Sequence, residues 1–293
     1  MYYVLKIISC LPWAVLRWLA RSIAVLLYCL DSSMKRISAI NLKLVYPQLS
    51  SQQHQTLLRN TLRSQCLTYI ESIKIWGMPA RHNRRLIETV YGEQHLTQAL
   101  ANPKGTIIVL AHLGNWELVN VWLNQHAAPM IMYKPSKNKG VNRFMLKARQ
   151  SAQATLVPTD DRGVRAVFKH LKQGGVTVIL PDHLPKASGG IYANFFGQHT
   201  LCTTLLPKLA QKTQCQVLGV HCLRNAQGLF DLHCNVLSTQ IGSQDLDVSV
   251  SEVNQALEHM IAQSPEQYTW SYKRFRHMPS HPQLYKRASG SKA

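Results

Sequence analysis

The chain has 293 residues, room for one large domain with an appendage, and its 46% hydrophobic content argues against disorder. Lysine and arginine number 33 against 14 aspartates and glutamates, and the resulting +19 calls for an anionic partner: nucleic acid, an acidic protein or anionic lipid. The seven scattered cysteines contain no Cys-x-x-Cys, which argues against a disulfide framework and for thiols in a reducing compartment.

Residues 1–30 carry only Lys6, Arg17 and Arg21 as charges among many Leu, Ile, Val and Trp residues. No uninterrupted run reaches the roughly 18–20 apolar residues of a clean spanning helix. Arg17 and Arg21 share a helix face, and Trp13 and Trp18 suit the headgroup level. Residues 1–31 are therefore expected to form a retained membrane-anchoring helix. It is either interfacial or a short span whose arginines snorkel. No small-residue cleavage site follows, so a removable signal is not expected. Lys35, Arg36 and Lys43 come next and favour the cytoplasmic face of an anionic leaflet for the body.

After Pro47, Ser50 or Ser51 can cap a helix running to about Trp76, closed by Gly77 and Pro79. Strand-like runs then fall at about 106–111, 129–133, 176–181, 216–223 and 229–236. Helical patterns lie at about 115–126, 140–152, 161–173, 201–213 and 249–263. The alternation predicts an α/β fold: a mixed, mostly parallel sheet flanked by helices, with one late antiparallel hairpin. One catalytic domain is expected over 32–280, followed by a basic tail over 281–293.

The first chemistry-bearing stretch is Thr106 to Glu117, an apolar run ending in Ala111-His112-Leu113-Gly114-Asn115-Trp116-Glu117. A strand end presents side chains at the rim of a sheet, where open α/β folds bind ligands. A neutral His112 there can take a proton from a hydroxyl, with Glu117 orienting the ring and compensating its charge. Next comes the basic loop from Tyr133 to Lys139, followed by a helix carrying Arg143, Lys147 and Arg149. Lys134 and Arg149 suit phosphate or carboxylate recognition, Arg149 bidentately. A third strand ends in Pro181-Asp182-His183, where Asp182 fixes a loop or orients a basic group. Phe195 and Phe196 wall an acyl pocket or anchor a loop. Asn115, Lys134, Arg149, Asp182 and His183 form the expected substrate-binding set.

His221-Cys222 and His233-Cys234 sit on two runs joined by a turn and invite a zinc reading. Adjacent strand residues point to opposite faces, so the four side chains do not converge readily, and no metal is assigned. The aromatics and bases over 265–276 can stack on nucleic-acid bases or sit at a membrane surface. No nucleic-acid module accompanies them, so no nucleic-acid partner is expected.

Taken in order and spacing, these segments resemble the late acyltransferases of lipid A biosynthesis, the lauroyl- and myristoyl-transferring family. The similarity runs from the anchor with Pro12 to about Pro279. His112 to Glu117 looks like the family's His-x4-Asp/Glu motif, and Pro181-Asp182-His183 like its second block. Phe195-Phe196-Gly197 looks like the third, and Pro265-Glu-Gln-Tyr-x-Trp with Lys273-Arg274-Phe275 like the carboxyl-terminal signature. Arg149 aligns with an arginine that members carry after the acceptor-side loop. The resemblance implies a cytoplasm-facing enzyme of a Gram-negative inner membrane. It would move an acyl chain from acyl carrier protein to a hydroxyl of a phosphorylated lipid A precursor. His112 and Glu117 would be catalytic, and no cofactor is needed because the thioester is already activated. Acylation of a lysophospholipid, an aminolipid or another glycolipid is the alternative. A non-enzymatic basic membrane-surface protein would leave His112 and Glu117 without a role.

Overall fold

The computed structural model describes residues 1–151 and 154–286. The chain opens with α1 (Tyr2–Cys10) and α2 (Trp13–Cys29), whose axes are bent by 117°. Two helices thus stand where one was expected, and Pro12 is the reason. The residue before a proline avoids helical geometry, and Leu11 is extended at φ −64, ψ 148. Among the described residues no single helix is long and apolar enough to cross a membrane. Then follow α3 (Ser33–Val45) and the long α4 (Ser51–Gly77). Ser50 caps α4 in a reciprocal box, accepting from the Gln53 N–H while Gln53 Oε1 accepts from the Ser50 N–H.

Short α5 (Ala80–Arg84) leads into β1 (Ile87–Tyr91), α6 (Glu93–Leu100), β2 (Thr106–Val109) and α7 (Trp116–Leu123). β3 (Met130–Tyr133), α8 (Lys139–Ser151), β4 (Thr155–Pro158), α9 (Asp161–Lys172) and β5 (Val176–Ile179) continue the alternation. A hairpin of β6 (Gly190–Phe195) and β7 (Gln198–Thr203) precedes α10 (Leu205–Thr213), β8 (Gln216–Arg224), β9 (Phe230–Val236) and α11 (Leu246–Ala262). The main sheet has seven strands in the order β1-β9-β8-β2-β5-β3-β4, and only the β8–β9 pair is antiparallel. This is the mixed, mostly parallel α/β sheet expected. β2 is buried along its whole length, as a central parallel strand should be. Ile107 and Val109 enter one core, and Ile108 and Leu110 the other.

β1, β4, the β6–β7 hairpin and the helices α3, α5 and α6 were not expected, and α10 starts at Leu205 because 201–203 belong to β7. Phe195 is fully buried at the hairpin end, while Phe196 takes φ +51 and its N–H donates to Glu258. The phenylalanines therefore anchor a turn. Of the expected basic tail, 287–293 lie outside the described residues.

The amino-terminal helices are packed onto the body. Leu16, Ala20 and Ala24 are buried, the two alanines in one cluster with Cys66 and Leu67 of α4. Lys6 Nζ donates to Gly77 O, Lys74 Nζ to Leu11 O, and Arg17 Nη2 to Gly228 O. Arg17 is thus engaged by the protein. The outward faces remain apolar: Tyr3, Val4, Ile7, Trp18, Val25, Leu26 and Leu30 are exposed. Cys10 and Cys29, at the ends of these helices, are exposed, whereas Cys66, Cys202, Cys222 and Cys234 are buried. On the β8–β9 hairpin His221 stacks on His233 at 4.8 Å and 6°, while Cys222 and Cys234 enter the core of the opposite face. The four groups are split across the sheet, as the strand geometry implied.

Leu16→Ala should lower stability by about 2–5 kcal/mol, read by thermal unfolding in detergent, because Leu16 is fully buried. Exposed Trp18→Ala should stay within about 0.5 kcal/mol. Equal losses at both positions would contradict this packing.

Burial holds the His221 imidazole down to about pH 4, with Gln263 opposing and His233 and His259 reinforcing. Its unfolded value is near 6.5, so the unfolded chain binds the proton more readily. Stability from neutral His221 is full above that value and is lost as pH falls towards 4. The melting temperature should drop across this window, less steeply in His221→Gln. Parallel slopes for the two proteins would refute the assignment.

Candidate active site

β2 and β5 run parallel with a constant offset, Thr106 opposite Val176 and Val109 opposite Ile179. Extending that register by three residues sets His112 beside Asp182 at the carboxyl ends of both strands. The contact is made twice: the His112 main-chain N–H donates to Asp182 Oδ2 at 2.9 Å, and Nδ1 lies 2.9 Å from Oδ1. A carboxylate only accepts, so Nδ1 carries the hydrogen and Nε2 keeps its lone pair. Asp182 has no exposed surface. Burial would raise its pKa, but attraction and hydrogen bonds from His112 hold it well below the usual carboxylate range. The hydroxyl of buried Tyr268 also bonds to Asp182, and the phenol is pushed well above its ordinary value by burial first and by this carboxylate next.

The His112 ring is clamped by aromatics. His183 stacks on it at 3.8 Å and 1°, Tyr272 stacks on His183 at 3.9 Å, and Trp116 approaches edge-on at 5.0 Å. Burial and the neighbouring His112 bring the His183 pKa down to about 4, so a neutral ring lies against the His112 face. His112, Asp182 and His183 bring donor atoms within 4.8 Å of one another. The set does not suit a metal, because ring lone pairs lie in the ring planes and two parallel planes do not aim at one ion.

The expected partner of His112 was Glu117, and the geometry differs. Glu117 sits in the first turn of α7, where its carboxylate receives Arg149 Nη2 at 2.5 Å and Nε at 3.4 Å. Asp182, seventy residues away in sequence, reaches the ring through strand register instead. The Arg149 fork, expected to grip phosphate, is held by Glu117. Burial works against the guanidinium charge, but this carboxylate more than offsets it. Asn115, expected to touch substrate, is fully buried, with Nδ2 at 3.5 Å from Glu71. Asp182 lies beneath the site. Lys134 and His183 do line it.

These groups border a cavity of about 550 Å³. Its polar side carries His112, Glu117, Lys134, Arg149 and His183, and its apolar wall includes Leu110, Val119, Ile131, Val178, Leu180 and Leu205. A volume in this range suits a small-molecule or single-chain ligand.

The loop carrying His112 is tied at every residue. His112 O accepts from the Thr269 N–H, and Leu113 bridges to Tyr268. Gly114 N donates to Gln267 O, and Asn115 N to Cys222 O. Gly114 holds φ +57, and a Cβ there would lie 2.0 Å from Cys222 O, so glycine is required. The composition of the segment over 265–276 allowed it to sit at a membrane surface. It is instead packed under the site, with Tyr268, Trp270, Arg274 and Phe275 buried. Glu71, Thr68, Arg224, Gln267, Tyr268 and Tyr272 are the site-supporting residues the sequence did not reveal. Only the last three lay in a segment that had drawn notice.

Known proteins with similar sequences are acyltransferases. A palmitoleoyltransferase of lipid A biosynthesis from Escherichia coli (strain K12) is 23% identical over 272 residues, covering 92% of this chain and 87% of that protein. A lauroyltransferase of lipid A biosynthesis from the same strain is 22% identical, covering 84% and 81%. A phosphatidylinositol mannoside acyltransferase from Mycolicibacterium smegmatis is 28% identical over 178 residues, covering 59% and 57%. The model of the bacterial lipid A biosynthesis acyltransferase family matches residues 1–277. The chain belongs to that family and is an acyltransferase.

Proposed function

We propose that this enzyme transfers a fatty acyl chain from an acyl carrier protein thioester to a hydroxyl of a phosphorylated lipid A precursor. The observation that carries the reading is His112, held by buried Asp182 through Nδ1 at the polar side of a cavity with an apolar wall. Nε2 takes the acceptor proton as the hydroxyl oxygen attacks the thioester carbonyl. The tetrahedral intermediate collapses, the carbon–sulfur bond breaks, and the same proton passes to the leaving thiolate. Asp182 stabilises the imidazolium between these steps, and neutral His183 stacked on it adds no opposing charge. Glu117 fixes Arg149 at the cavity edge, where a guanidinium can meet developing negative charge. Lys134 on the rim is the proposed phosphate contact. The thioester is already activated, so the scheme needs no cofactor.

The net charge suits three anionic partners at once: acyl carrier protein, the acceptor phosphates and the inner-membrane leaflet. The exposed apolar row on α1 and α2 supports an enzyme lying on the cytoplasmic face, its helices in the interface plane. A second reading, acylation of another glycolipid, is favoured by the mycobacterial relative. Mass spectrometry of lipid A from cells with and without the gene separates them. An added secondary acyl chain supports the first reading, and unchanged lipid A refutes it.

His112→Ala and Asp182→Asn should each lower kcat by about 10²–10⁴ with folding retained, measured by transfer from acyl carrier protein in mixed micelles. Near-normal turnover in His112→Ala would refute the mechanism. Ile131 is half-buried on the cavity wall, and Ile131→Phe shortens the space for hydrocarbon. It should lower kcat/KM for the longest usable donor by roughly 10-fold or more while sparing shorter ones. Equal loss across all chain lengths would remove the cavity from acyl selection.

A further inference from the structure

The loop that carries His112 is supported from behind by a buried ion pair with no place in the reaction above. Glu71 on α4 is 1% exposed. It receives Arg224, from the end of β8, through Nε at 2.7 Å and Nη2 at 2.6 Å. The other guanidinium contacts go to α4 hydroxyls: Nη1 to Ser64 Oγ at 3.2 Å and Nη2 to Thr68 Oγ1 at 3.1 Å. Thr68 has one hydrogen to give, and it gives it to Gly114 O at 3.2 Å. The Arg224 backbone continues the chain of contacts. Its N–H donates to Gln267 Oε1 and its carbonyl accepts from Gln267 Nε2, both at 2.9 Å, while Gln267 O receives the Gly114 N–H.

Both backbone polar atoms of Gly114 are therefore held by groups that Arg224 itself organises, the carbonyl through Thr68 and the N–H through Gln267. Gly114 lies two residues from His112, with Cys222 O packed where any side chain would begin. We propose that Glu71, Arg224 and Thr68 are positioning residues for the acyl-transfer reaction: they set the height and tilt of the His112 loop relative to Asp182. A buried ion pair adds little net stability once desolvation is counted, but it fixes geometry because a displaced charge has no alternative partner. Arg224 supplies a planar fork that lysine cannot copy. The Asn115 amide, 3.5 Å from Glu71 Oε2, links the following residue of the loop to the same carboxylate.

The inference rests on His112 carrying the proton transfer, so the test runs His112→Ala alongside. Full-length enzyme in mixed micelles is assayed with dodecanoyl acyl carrier protein and a phosphorylated lipid A precursor. Thr68→Val keeps shape and removes the hydroxyl. It should lower kcat about 10- to 100-fold, with the KM of both substrates unchanged and melting above the assay temperature. Thr68→Ser restores the hydroxyl and should restore turnover, a rescue that a purely structural role does not require. Arg224→Lys should follow Thr68→Val, and if it does not fold, the threonine pair decides. Normal kcat in folded Thr68→Val beside an inactive His112→Ala overturns this proposal alone. So does a loss of activity that tracks the unfolded fraction. An active His112→Ala overturns the mechanism and this proposal with it.

Discussion

Asp182 is a carboxylate without exposed surface, and the rest of the site is arranged around that one buried charge. An isolated carboxylate in such a place would take up a proton. It stays ionised because His112 meets it with both a main-chain and a ring N–H, and because a tyrosine hydroxyl adds a third contact. Once Asp182 is ionised, the tautomer of His112 follows, and with it the free lone pair at Nε2. The neutral state of His183 fits the same logic, since a second cation stacked 3.8 Å away would work against an imidazolium on His112. The His112 hydrogen bonds thus keep Asp182 charged and fix the His112 tautomer, while burial, first of all, keeps His183 neutral.

That interaction depends on strand register, which the main sheet supplies. β2 lies between β8 and β5, parallel to both, so its carboxyl end is flanked by two further strand ends. From one side comes Asp182, from the other the Cys222 carbonyl that receives Asn115. The segment after α11 crosses beneath, and α4 closes the back. Four regions distant in sequence therefore fix a loop of four residues. The loop is preorganised and mostly buried, yet His112 keeps part of its side chain at the cavity while its backbone is held.

How much of this could be read in advance follows from where each constraint resides. An apolar run ending in His112 marks a strand end locally, so the α/β class, the central strands and the catalytic candidate were all legible. Pro12 was visible too, yet its effect was underweighted: a proline after nine helical residues ends a helix, and the expected single anchor became an angled pair. The partner of His112 was not legible. Glu117 lies on the same short segment and was the natural choice, but choosing Asp182 requires the offset between β2 and β5, which no local pattern encodes. Glu71 and Arg224 were hidden for a related reason. Each looks like an ordinary charged residue until the fold brings α4 against the end of β8. The composition of 265–276 left a surface position open, whereas Tyr268, Trp270 and Phe275 are buried beneath the site.

The distribution of thiols gives the molecule a built-in reporting system. Cys10 and Cys29 are exposed at the ends of the two angled helices. The buried thiols of Cys66 and Cys234 are pushed up to about 11 by their surroundings, so at neutral pH they stay protonated and unreactive. A maleimide fluorophore added to the unaltered protein should therefore mark the tips of the amino-terminal pair before the core. Quenching of those two labels by lipid-borne or aqueous quenchers would test whether either position enters a bilayer, with no residue replaced.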